Sequence, residues 1–348
     1  MKALKLYGAR DIRFEEADEP IIKNADDVKI RIRSVGICGS DMHRYALLGP
    51  YIKGMIWGHE FSGEVVEVGT AVTDLKAGER VSACPAIYCG KCDSCKRGKY
   101  AQCLKLSVIG AYRPGAFAEY IVMPRENVIS ISGGISFDEM AVVEPSCVAL
   151  HGLYNAGGIS AGDTVAVLGC GTVGTMTVQW AKIMGAKKII AIDIDDKKLA
   201  VAQYAGATDL INTRGKQSYE KVFELTNNKG VDIAVEAAGT AETSAQVLAL
   251  PGKGGKVIYM GIPYSDVMMK RLYFEKIVRN ELSIVGTWNA ISGPFPGKEW
   301  ITCVHFLESK ILQTKMLITH RLPLNEGKKA FEMAIQGKEY HGKIVLHP

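Results

Sequence analysis

The stretch Val167–Gly174, which reads Val-Leu-Gly-Cys-Gly-Thr-Val-Gly, decides the fold of this chain. The apolar run at 163–168 leads into it and predicts a buried strand, and residues 175–184 after it predict a helix. The stretch therefore forms a turn from strand to helix, and its glycines follow the pattern G-x-G-x-x-G. In that setting the pattern is typical of a dinucleotide-binding site.

Each glycine of this pattern has its own role at such a turn. Gly169 permits the tight turn, Gly171 lets a pyrophosphate approach the backbone, and Gly174 lets the helix pack on the strand. The free N–H groups and the positive dipole end of the helix favour the same anion. The predicted cofactor-binding residues of the turn are Gly169, Gly171, Thr172, Val173 and Gly174.

A second apolar run, 188–192, predicts the next strand, and Asp193 ends it 19 residues after the last glycine. An acid at this place accepts hydrogen bonds from an adenosine ribose. Residues 194–196 follow without an arginine. A 2′-phosphate would therefore meet carboxylates, and we expect NAD to be preferred over NADP. The competing interpretation is that Asp193 merely caps the helix that follows.

Length and composition limit the class of protein. The 348 residues favour two domains, and 47% hydrophobic with 23% charged residues is ordinary for a globular protein. With no long apolar run and no signal peptide, a cytoplasmic protein without a membrane span is expected. The unclustered net charge of +5 argues against nucleic acid as a partner. Nine cysteines in such a chain favour metal ligands over a disulfide framework.

The patterns of strands and helices divide the chain. Residues 1–145 contain short alternating strands between Gly and Pro turns, which predict a β-rich domain. From 163 to about 290 strands alternate with helices, which predicts a doubly wound parallel sheet and an α/β fold class. We expect the tail to return to the first domain and a cleft to lie between the two. The predicted domains are 1–150 with 294–348, and 151–293.

A dense group of cysteines lies in the predicted β-rich domain. Cys89, Cys92, Cys95 and Cys103 form C-x2-C-x2-C-x7-C in a loop rich in lysine and arginine. Four thiolates at such spacing favour a closed tetrahedral zinc site, whose negative charge the flanking cations would offset. An iron–sulfur cluster is the competing interpretation. A closed shell has no open position, so the expected role is structural.

Further candidate ligands are scattered along the same domain. They are Cys38, His59 with its neighbour Glu60, and Glu144, each near a predicted strand end or helix start. Cys38 could equally be a core thiol, His59 a hydrogen-bonded core histidine, and Glu144 an acid that favours a helix N-terminus. Spacing alone does not decide between these interpretations and a metal site.

Over essentially its whole length the chain resembles the zinc-containing medium-chain dehydrogenases. The matching pieces are Cys38-Gly39-Ser40-Asp41, Gly58-His59-Glu60-Phe61-Ser62-Gly63, the four-cysteine loop, Gly115-Ala116-Phe117-Ala118-Glu119-Tyr120, Glu144-Pro145 and the glycine turn. The resemblance implies a GroES-like β-rich catalytic domain, a Rossmann domain, NAD, and two zinc ions per chain, one catalytic and one structural.

The resemblance also implies roles for single residues. In the family, the residues that match Cys38, His59 and Glu144 hold the catalytic zinc, and a glutamate at the third place is typical of the polyol dehydrogenase branch. Glu60 matches an alternative ligand or neighbouring carboxylate, and Asp41 matches an acid that orients the histidine.

Ser40 matches the hydroxyl that takes the substrate proton, and His43 matches the outer end of the proton relay. The implied reaction is the oxidation of a secondary alcohol of a sugar alcohol, or of its phosphate, to the ketose. Residues 109–113 and 286–300 resemble the enzymes of the branch that convert galactitol 1-phosphate to tagatose 6-phosphate. The candidate substrate residues are Arg44, Tyr51, Arg113, Trp288 and Asn289. Arginine suits phosphate, and the competing interpretation is that a loop arginine such as Arg44 is merely solvated.

Other functions of the same family stay open at this point. Sorbitol or L-iditol, butanediol and threonine are alternative substrates, and a nucleotide-binding protein without activity is disfavoured because the metal ligands are present. The apolar run 282–286 predicts an edge strand that needs a partner, so we expect a homodimer or homotetramer.

Overall fold

The chain forms two units, and its tail belongs to the first of them. In the computed structural model of the protein, the described residues are 1–132, 134–214, 219–337 and 340–348. The first unit contains Met1–Glu144 and Ala290–Pro348, and the second contains Pro145–Asn289. Within the described residues, no helix is both long and apolar enough to cross a membrane.

The strands and helices are short and follow one another closely. In chain order, the strands are β1 (Lys2–Gly8), β2 (Asp11–Glu16), β3 (Asp27–Gly36), β4 (Met55–Ile56), β5 (Glu60–Val68), β6 (Arg80–Ala83), β7 (Ala86–Ile87), β8 (Ser107–Val108), β9 (Tyr120–Pro124), β10 (Val128–Ser130), β11 (Thr164–Leu168), β12 (Lys188–Asp193), β13 (Asp209–Asn212), β14 (Val231–Glu236), β15 (Pro251–Tyr259), β16 (Ser283–Gly286), β17 (Ile318–Pro323) and β18 (Lys343–His347). The helices are α1 (Gly39–His43), α2 (Asp93–Lys96), α3 (Phe137–Ala141), α4 (Val143–Asn155), α5 (Thr172–Ile183), α6 (Asp196–Ala205), α7 (Tyr219–Leu225), α8 (Ala241–Gln246), α9 (Arg271–Arg279), α10 (Lys298–Glu308) and α11 (Gly327–Gln336).

The first unit is built around β3, whose apolar residues alternate with charged ones. Val28, Ile30 and Ile32 are buried in the core, as the period of two requires for a strand with one covered face. The sheet order is β10-β6-β5-β3-β18-β17, and β9 also pairs with β3. Because β5 and β18 both run antiparallel to β3, their first residues lie near the last residues of β3. This arrangement brings distant parts of the sequence to one end of the sheet.

The second unit contains one parallel sheet with the order β13-β12-β11-β14-β15-β16. All five residues of β11 are buried, as expected for a central strand that is covered on both faces. After β11 the chain adds β12 and β13 on one side and then β14 to β16 on the other. The switch point, where ligands bind in open sheets of this kind, therefore lies between the carboxyl ends of β11 and β14.

The α/β fold class predicted from the sequence is confirmed, while several element boundaries differ. The helix expected at 175–184 is α5, which begins three residues earlier because Gly171 is its N-cap. The sequence pattern predicts a helix at about 139–156, but in the structure this region is divided at Val142 into α3 and α4. It also predicts a strand at 116–122, but β9 begins only at Tyr120, and Ala116 and Phe117 donate their backbone hydrogen bonds to the loop at 57–58.

β16 forms one edge of the parallel sheet, and β13 forms the other. Ser283, Ile284 and Gly286 of β16 are exposed. Leu272, Phe274 and Val278 of the neighbouring segment α9 are exposed as well. Unpaired strand edges and clustered apolar side chains are surfaces that proteins normally cover.

Candidate metal centres and cofactor site

Cys38 and His59 come together because two strands pair with their ends in register. Gly36, the last residue of β3, lies opposite Glu60, the first residue of β5. Cys38 is the N-cap of α1 just after β3, and His59 directly precedes β5. The sulfur of Cys38, a ring nitrogen of His59 and a carboxylate oxygen of Glu60 all lie within 4.8 Å of one another. Strand register thus gathers three predicted ligands into one group.

Asp41 orients this group from the first turn of α1. Its Oδ2 accepts a hydrogen bond of 3.0 Å from the backbone N–H of Cys38, and its Oδ1 lies 3.7 Å from Nδ1 of His59. A carboxylate beside Nδ1 leaves Nε2 as the nitrogen available to a metal, which is the common arrangement of metal-binding histidines. Asp41 thus lies beside His59, and its role in orienting the histidine stays a prediction of the resemblance.

Lys343 is the first residue of β18 and reaches the same group from the far end of the sequence. Its side chain is 3% exposed, and its Nζ donates to the carboxylate of Glu60 and, over 3.0 Å, to the backbone oxygen of Ile37. No sequence motif marks Lys343. A lysine at the start of an apolar strand is a weak signal, and Glu60 lies 283 residues away.

The buried acidic groups around Cys38 and His59 favour a bound cation. Burial raises the pKa of Glu144 to about 7, although His59 lowers it. Burial alone would lower the pKa of His59, but Asp41 and Cys38 raise it well above its usual value. Acidic groups so deeply buried are stabilised by a dication, and a thiolate, an imidazole and carboxylates are ligands that zinc accepts. The residues therefore fit a zinc ion.

Glu144 lies in the first turn of α4 and is 6% exposed. Its carboxylate is close enough for its charge to act on His59, but it is not part of the group of ligand atoms within 4.8 Å. The structure thus brings together Cys38, His59 and Glu60 and leaves the fourth predicted ligand beside them. Glu60, which is paired with Lys343, and Glu144 are the two carboxylates available as a third ligand.

The second group of metal-binding side chains contains Cys89, Cys92, Cys95 and Cys103, whose sulfur atoms all lie within 4.8 Å of one another. None of them forms a disulfide. The sulfur atoms of Cys92 and Cys95 are 3.4 Å apart, and the backbone N–H of Cys89 donates to Cys103 over 3.3 Å. Four converging thiols on a short loop with the helical turn α2 can hold a closed tetrahedral zinc ion.

This cysteine loop packs against the returning tail of the first unit. Tyr88 directly precedes the loop and Tyr100 lies within it, and the centroids of both rings lie close to that of Phe295, at 4.9 and 5.8 Å. The contact joins two segments that are about 200 residues apart in sequence. A metal that orders the cysteine loop therefore also supports this aromatic contact.

In the second unit, the glycine turn between β11 and α5 has the shape that a pyrophosphate needs. Gly169 has a φ of 92°, and a Cβ at this residue would collide with Ala238. A Cβ at Gly174 would overlap the backbone oxygen of Gly169. A Cβ at Gly171, in contrast, would meet no atom within 4 Å. The open space at Gly171, beside the N-terminal N–H groups of α5, is where a phosphate would bind.

Asp193 lies at the end of β12 and is tied to the glycine turn. Its Oδ2 accepts a hydrogen bond of 2.7 Å from the backbone N–H of Cys170, and its Oδ1 accepts from the N–H groups of Ile194 and Asp195. The cap of α6 is Asp195, whose side chain accepts from the N–H of Lys197. The competing interpretation of Asp193 as the helix cap is therefore wrong.

An arginine also lies near this acid, although the sequence around Asp193 contains none. Arg214 follows β13, which pairs in parallel with β12 and places Asn212 opposite Asp193. Its guanidinium donates to the backbone oxygen of Ile194 over 3.1 and 3.3 Å. The local sequence could not reveal this neighbour, because it depends on strand pairing.

Comparison with known proteins identifies the family of the chain. Residues 24–133 match the family model of the alcohol dehydrogenase GroES-like domain, and residues 172–308 match that of the zinc-binding dehydrogenases. The chain belongs to the zinc-binding alcohol dehydrogenase family. The resemblance predicted from the sequence motifs is thereby confirmed.

Two curated relatives and one solved structure are similar to the chain over its whole length. The dehydrogenase is 36% identical to the sorbitol dehydrogenase of Bacillus subtilis (strain 168), over 100% of this chain and 97% of the relative. It is also 36% identical to an L-threonine 3-dehydrogenase of Bacillus licheniformis, over 100% and 99% of the two chains. The crystal structure of galactitol-1-phosphate dehydrogenase from Escherichia coli superposes with a TM-score of 0.94 at 34% identity, and each chain is fully covered.

The predicted proton-transfer residues of the dehydrogenase, Ser40 and His43, lie in α1 directly after Cys38. They are three residues apart in a helical turn, and such a spacing places two side chains on one side of a helix. Both residues are in contact with solvent. Part of the His43 ring is nevertheless covered by neighbouring atoms, and this partial burial lowers the pKa of His43. A hydroxyl next to a metal ligand and an imidazole that is neutral near pH 7 are suited to pass a proton to solvent.

Two of the predicted substrate residues contact each other. The guanidinium of Arg44 lies 3.4 Å from the ring centroid of Tyr51 and donates to the backbone oxygen of Gly49 over 3.2 Å. The ring of Tyr51 also packs on Tyr112, with centroids 4.8 Å apart. Tyr112, which the sequence analysis did not identify, directly precedes the predicted Arg113. A cation and two half-exposed aromatic rings therefore lie close to one another in the first unit.

Trp288 and Asn289 belong to the second unit and are the remaining predicted substrate residues. The Trp288 side chain is exposed. The side-chain nitrogen of Asn289 is buried and has no hydrogen-bond partner among the described residues. Both follow β16, so they stay candidates for substrate contact and no more specific role follows from their surroundings.

Substitutions should separate the two metal groups by their effects. We expect Cys38→Ser to abolish activity while the unfolding temperature stays close to that of the wild type. We expect Cys95→Ser to lower the unfolding temperature by about 10 °C, because a structural zinc contributes directly to folding. The measurements are calorimetry, zinc content and turnover of each variant.

Cys303→Ser is the matched control for these variants, because Cys303 is a buried cysteine that belongs to neither group. It should retain both activity and zinc content. An inactive, fully folded Cys95→Ser protein with one zinc ion would contradict the assignment of the cysteine loop to a structural role.

The buried pair of Lys343 and Glu60 should be essential to stability as a pair. Lys343→Met leaves a buried carboxylate without its cation and should lower the free energy of unfolding by about 3–5 kcal/mol. Adding Glu60→Gln should recover much of this loss, because no uncompensated charge then remains. Denaturant titrations of both single variants and the double variant measure this coupling.

An exposed ion pair provides the control. Lys2→Met removes the partner of Glu16 at the surface, and it should change the free energy of unfolding by about 0–1 kcal/mol. If Lys343→Met were as harmless as Lys2→Met, the buried pair would have no structural role.

Proposed function

We propose that the protein is an NAD-dependent dehydrogenase that oxidises a secondary alcohol of a sugar alcohol, or of its phosphate, to the ketose. The observation that carries this proposal is the group of Cys38, His59 and Glu60 with Asp41 at Nδ1 of the histidine. Three protein ligands of this kind are typical of a catalytic zinc with an open position. The glycine turn of the second unit provides the place for the nicotinamide cofactor.

Cys38, His59 and a carboxylate would hold the zinc, which would supply a Lewis acid for the alcohol oxygen, and the glycine turn would hold the nicotinamide cofactor, which would supply the hydride acceptor. Ser40 takes the hydroxyl proton of the substrate, and His43 passes it to solvent. Asp41 keeps His59 in one tautomer and orientation. Lys343 holds the carboxylate of Glu60 in a fixed position and offsets part of the negative charge of the ligand group.

We infer that the substrate carries a phosphate and is galactitol 1-phosphate, which would be converted to tagatose 6-phosphate. The support is the resemblance of residues 109–113 and 286–300 to enzymes with this substrate, together with the contact of Arg44 with Tyr51. A guanidinium already held by an aromatic ring and a backbone oxygen loses little freedom on binding an anion. Arg113, next to the ring of Tyr112, is the second candidate for the phosphate.

A panel of polyols with and without a terminal phosphate tests the substrate class. The wild type should have a higher kcat/KM for galactitol 1-phosphate than for galactitol, sorbitol or L-threonine. Arg44→Ala should raise KM for the phosphorylated substrate about tenfold or more, since hydrogen bonds to charged groups contribute about 1.5–3 kcal/mol. It should change KM for unphosphorylated galactitol little.

Arg13→Ala is the control for the loss of a positive charge, because Arg13 forms a surface ion pair with Asp11. It should leave both KM values unchanged. Equal kcat/KM for galactitol and its phosphate in the wild type would contradict a phosphate-specific enzyme and favour a plain polyol dehydrogenase. If no polyol reduced NAD, the proposed reaction itself would be wrong.

The cofactor preference follows from the acid at the end of β12. With Asp193 next to the ribose, kcat/KM for NAD should exceed that for NADP by about tenfold or more, because a 2′-phosphate would meet its negative charge. Asp193→Ala should reduce this ratio. Arg214→Ala tests the neighbouring cation, and it should make the ratio larger because less positive charge remains near the 2′ position. Comparable values for both cofactors in the wild type would exclude the preference.

We also infer that two copies associate through the edge of the parallel sheet. The exposed β16 and the apolar side chains of α9 support this proposal. Light scattering after size exclusion should give at least twice the chain mass of 37.8 kDa. Ile284→Arg should shift the protein towards the monomer, because charged side chains on an edge strand oppose pairing. A monomeric wild type at micromolar concentration would rule out the association.

A further inference from the structure

Glu236 is a buried acid that the proposed chemistry leaves unexplained. It is the last residue of β14, its side chain is fully buried, and β14 pairs with β11 so that Glu236 lies opposite Leu168. The glycine turn begins at the next residue after Leu168. Glu236 therefore lies at the switch point of the sheet, directly across from the turn that is expected to bind the pyrophosphate.

One carboxylate oxygen of Glu236 organises the turn that follows β14. Its Oε1 accepts hydrogen bonds from the backbone N–H groups of Ala238 and Gly239, at 3.0 and 2.9 Å, and from Oγ1 of Thr243 at 2.7 Å. Three donors on one oxygen hold the segment 237–240 and the first turn of α8 in one arrangement. Without this acceptor, the N–H groups of Ala238 and Gly239 would lose their common partner.

The other oxygen, Oε2, is buried and has no hydrogen-bond partner among the described residues. It lies against Gly261, where a Cβ would collide with both Oε2 and Gly239. Burial raises the pKa of Glu236, although the hydrogen bonds from Thr243 and Gly239 lower it. Burial of a carboxylate costs desolvation energy, which the hydrogen bonds from the turn offset in part.

The turn that Glu236 holds is in contact with the glycine turn. The backbone and Cβ of Ala238 fill the space that a side chain at Gly169 would need. The N–H of Ala237 donates to the backbone oxygen of Leu168 over 2.8 Å. The turns after β14 and β15 both contact the carboxylate of Glu236, and the turn after β14 also contacts the glycine turn after β11. A shift of the segment 237–240 would therefore change the surface beside the expected cofactor site.

We propose that Glu236 is a positioning residue that fixes the seat of the nicotinamide half of the cofactor. The inference rests on the proposed function, because it assumes a dinucleotide at the glycine turn. Asp193 lies on the β12 side of β11 and would hold the adenosine half. A dinucleotide that crosses the switch point must place its other half on the β14 side, where Glu236 holds the backbone.

The position of the acid predicts a selective loss of affinity. Glu236→Ala removes the shared acceptor and should weaken NADH binding about tenfold, the effect of one or two lost hydrogen bonds in the supporting turn. ADP-ribose, which lacks the nicotinamide ring, should bind within about twofold of the wild type. Glu236→Gln keeps an oxygen acceptor at this place and should restore most of the NADH affinity.

Titration calorimetry of the zinc-loaded protein with NADH and with ADP-ribose gives these affinities, and calorimetric unfolding monitors stability. Glu242→Ala, in the exposed first turn of α8, is the control and should leave both affinities unchanged. If Glu236→Ala does not fold, Thr243→Val decides, because it removes one of the donors to Oε1 and should also weaken NADH but not ADP-ribose.

The outcomes separate the inference from the function on which it rests. An equal loss of both ligands in Glu236→Ala, or a loss of neither, would overturn the positioning role and leave the dehydrogenase proposal intact. Failure of the wild type to bind NADH and ADP-ribose would overturn both. A selective loss of NADH that Glu236→Gln reverses is the result that the geometry of the turn predicts.

Discussion

The register between β3 and β5 is the constraint on which the metal centre depends. Gly36 opposite Glu60 places the end of one strand against the start of the other, so that Cys38 and His59 converge. A glycine at this crossing leaves room for the carboxylate of Glu60, since a Cβ at Gly36 would collide with that carboxylate and contact Lys343 unless the Glu60 side chain shifted. A slip by one residue would move every side chain of β5 to the opposite face and separate the ligands.

The same register brings several acidic groups together in a buried place, and a lysine from the tail of the chain offsets part of their negative charge. Buried acids beside a thiol repel one another, and each costs desolvation energy unless a cation is near. The pairing of β18 with β3 brings Lys343 to Glu60 and ties the end of the chain to the loop at Ile37. A metal would supply the remaining positive charge. Strand pairing thus brings the candidate ligands and one compensating cation to the same buried place.

The sequence predicted the features that depend on local pattern. The glycine turn, the parallel sheet around β11 and the four-cysteine loop all follow from short spacings that need no knowledge of the fold. The α/β class was correct for this reason, and the motifs around Cys38 and His59 identified the family before any strand pairing was known. The predicted boundaries of the elements are less accurate. The start of α5 is an example, because the residue type alone does not show that Gly171 is the N-cap of this helix.

The features that the sequence did not reveal depend on long-range pairing. Lys343 reaches Glu60 across 283 residues, and Arg214 reaches Ile194 because β13 lies beside β12. Tyr112 contacts Tyr51 only when two loops meet. Glu236 reads as an ordinary strand-terminal acid until its buried carboxylate is seen to hold a neighbouring turn. In each case the chemistry is created by packing rather than by the order of the residues.

The chemistry depends on which carboxylate completes the ligand set, because Glu144 lies beside the group of Cys38, His59 and Glu60 rather than within it. Anomalous diffraction from crystals of the native protein at the zinc absorption edge tests the account most directly. We expect two peaks per chain in the anomalous map. One should lie among the four cysteines of the loop, and the other should lie next to Cys38, His59 and a carboxylate of Glu60 or Glu144. A single peak in the cysteine loop, with no zinc between Cys38 and His59, would contradict the account.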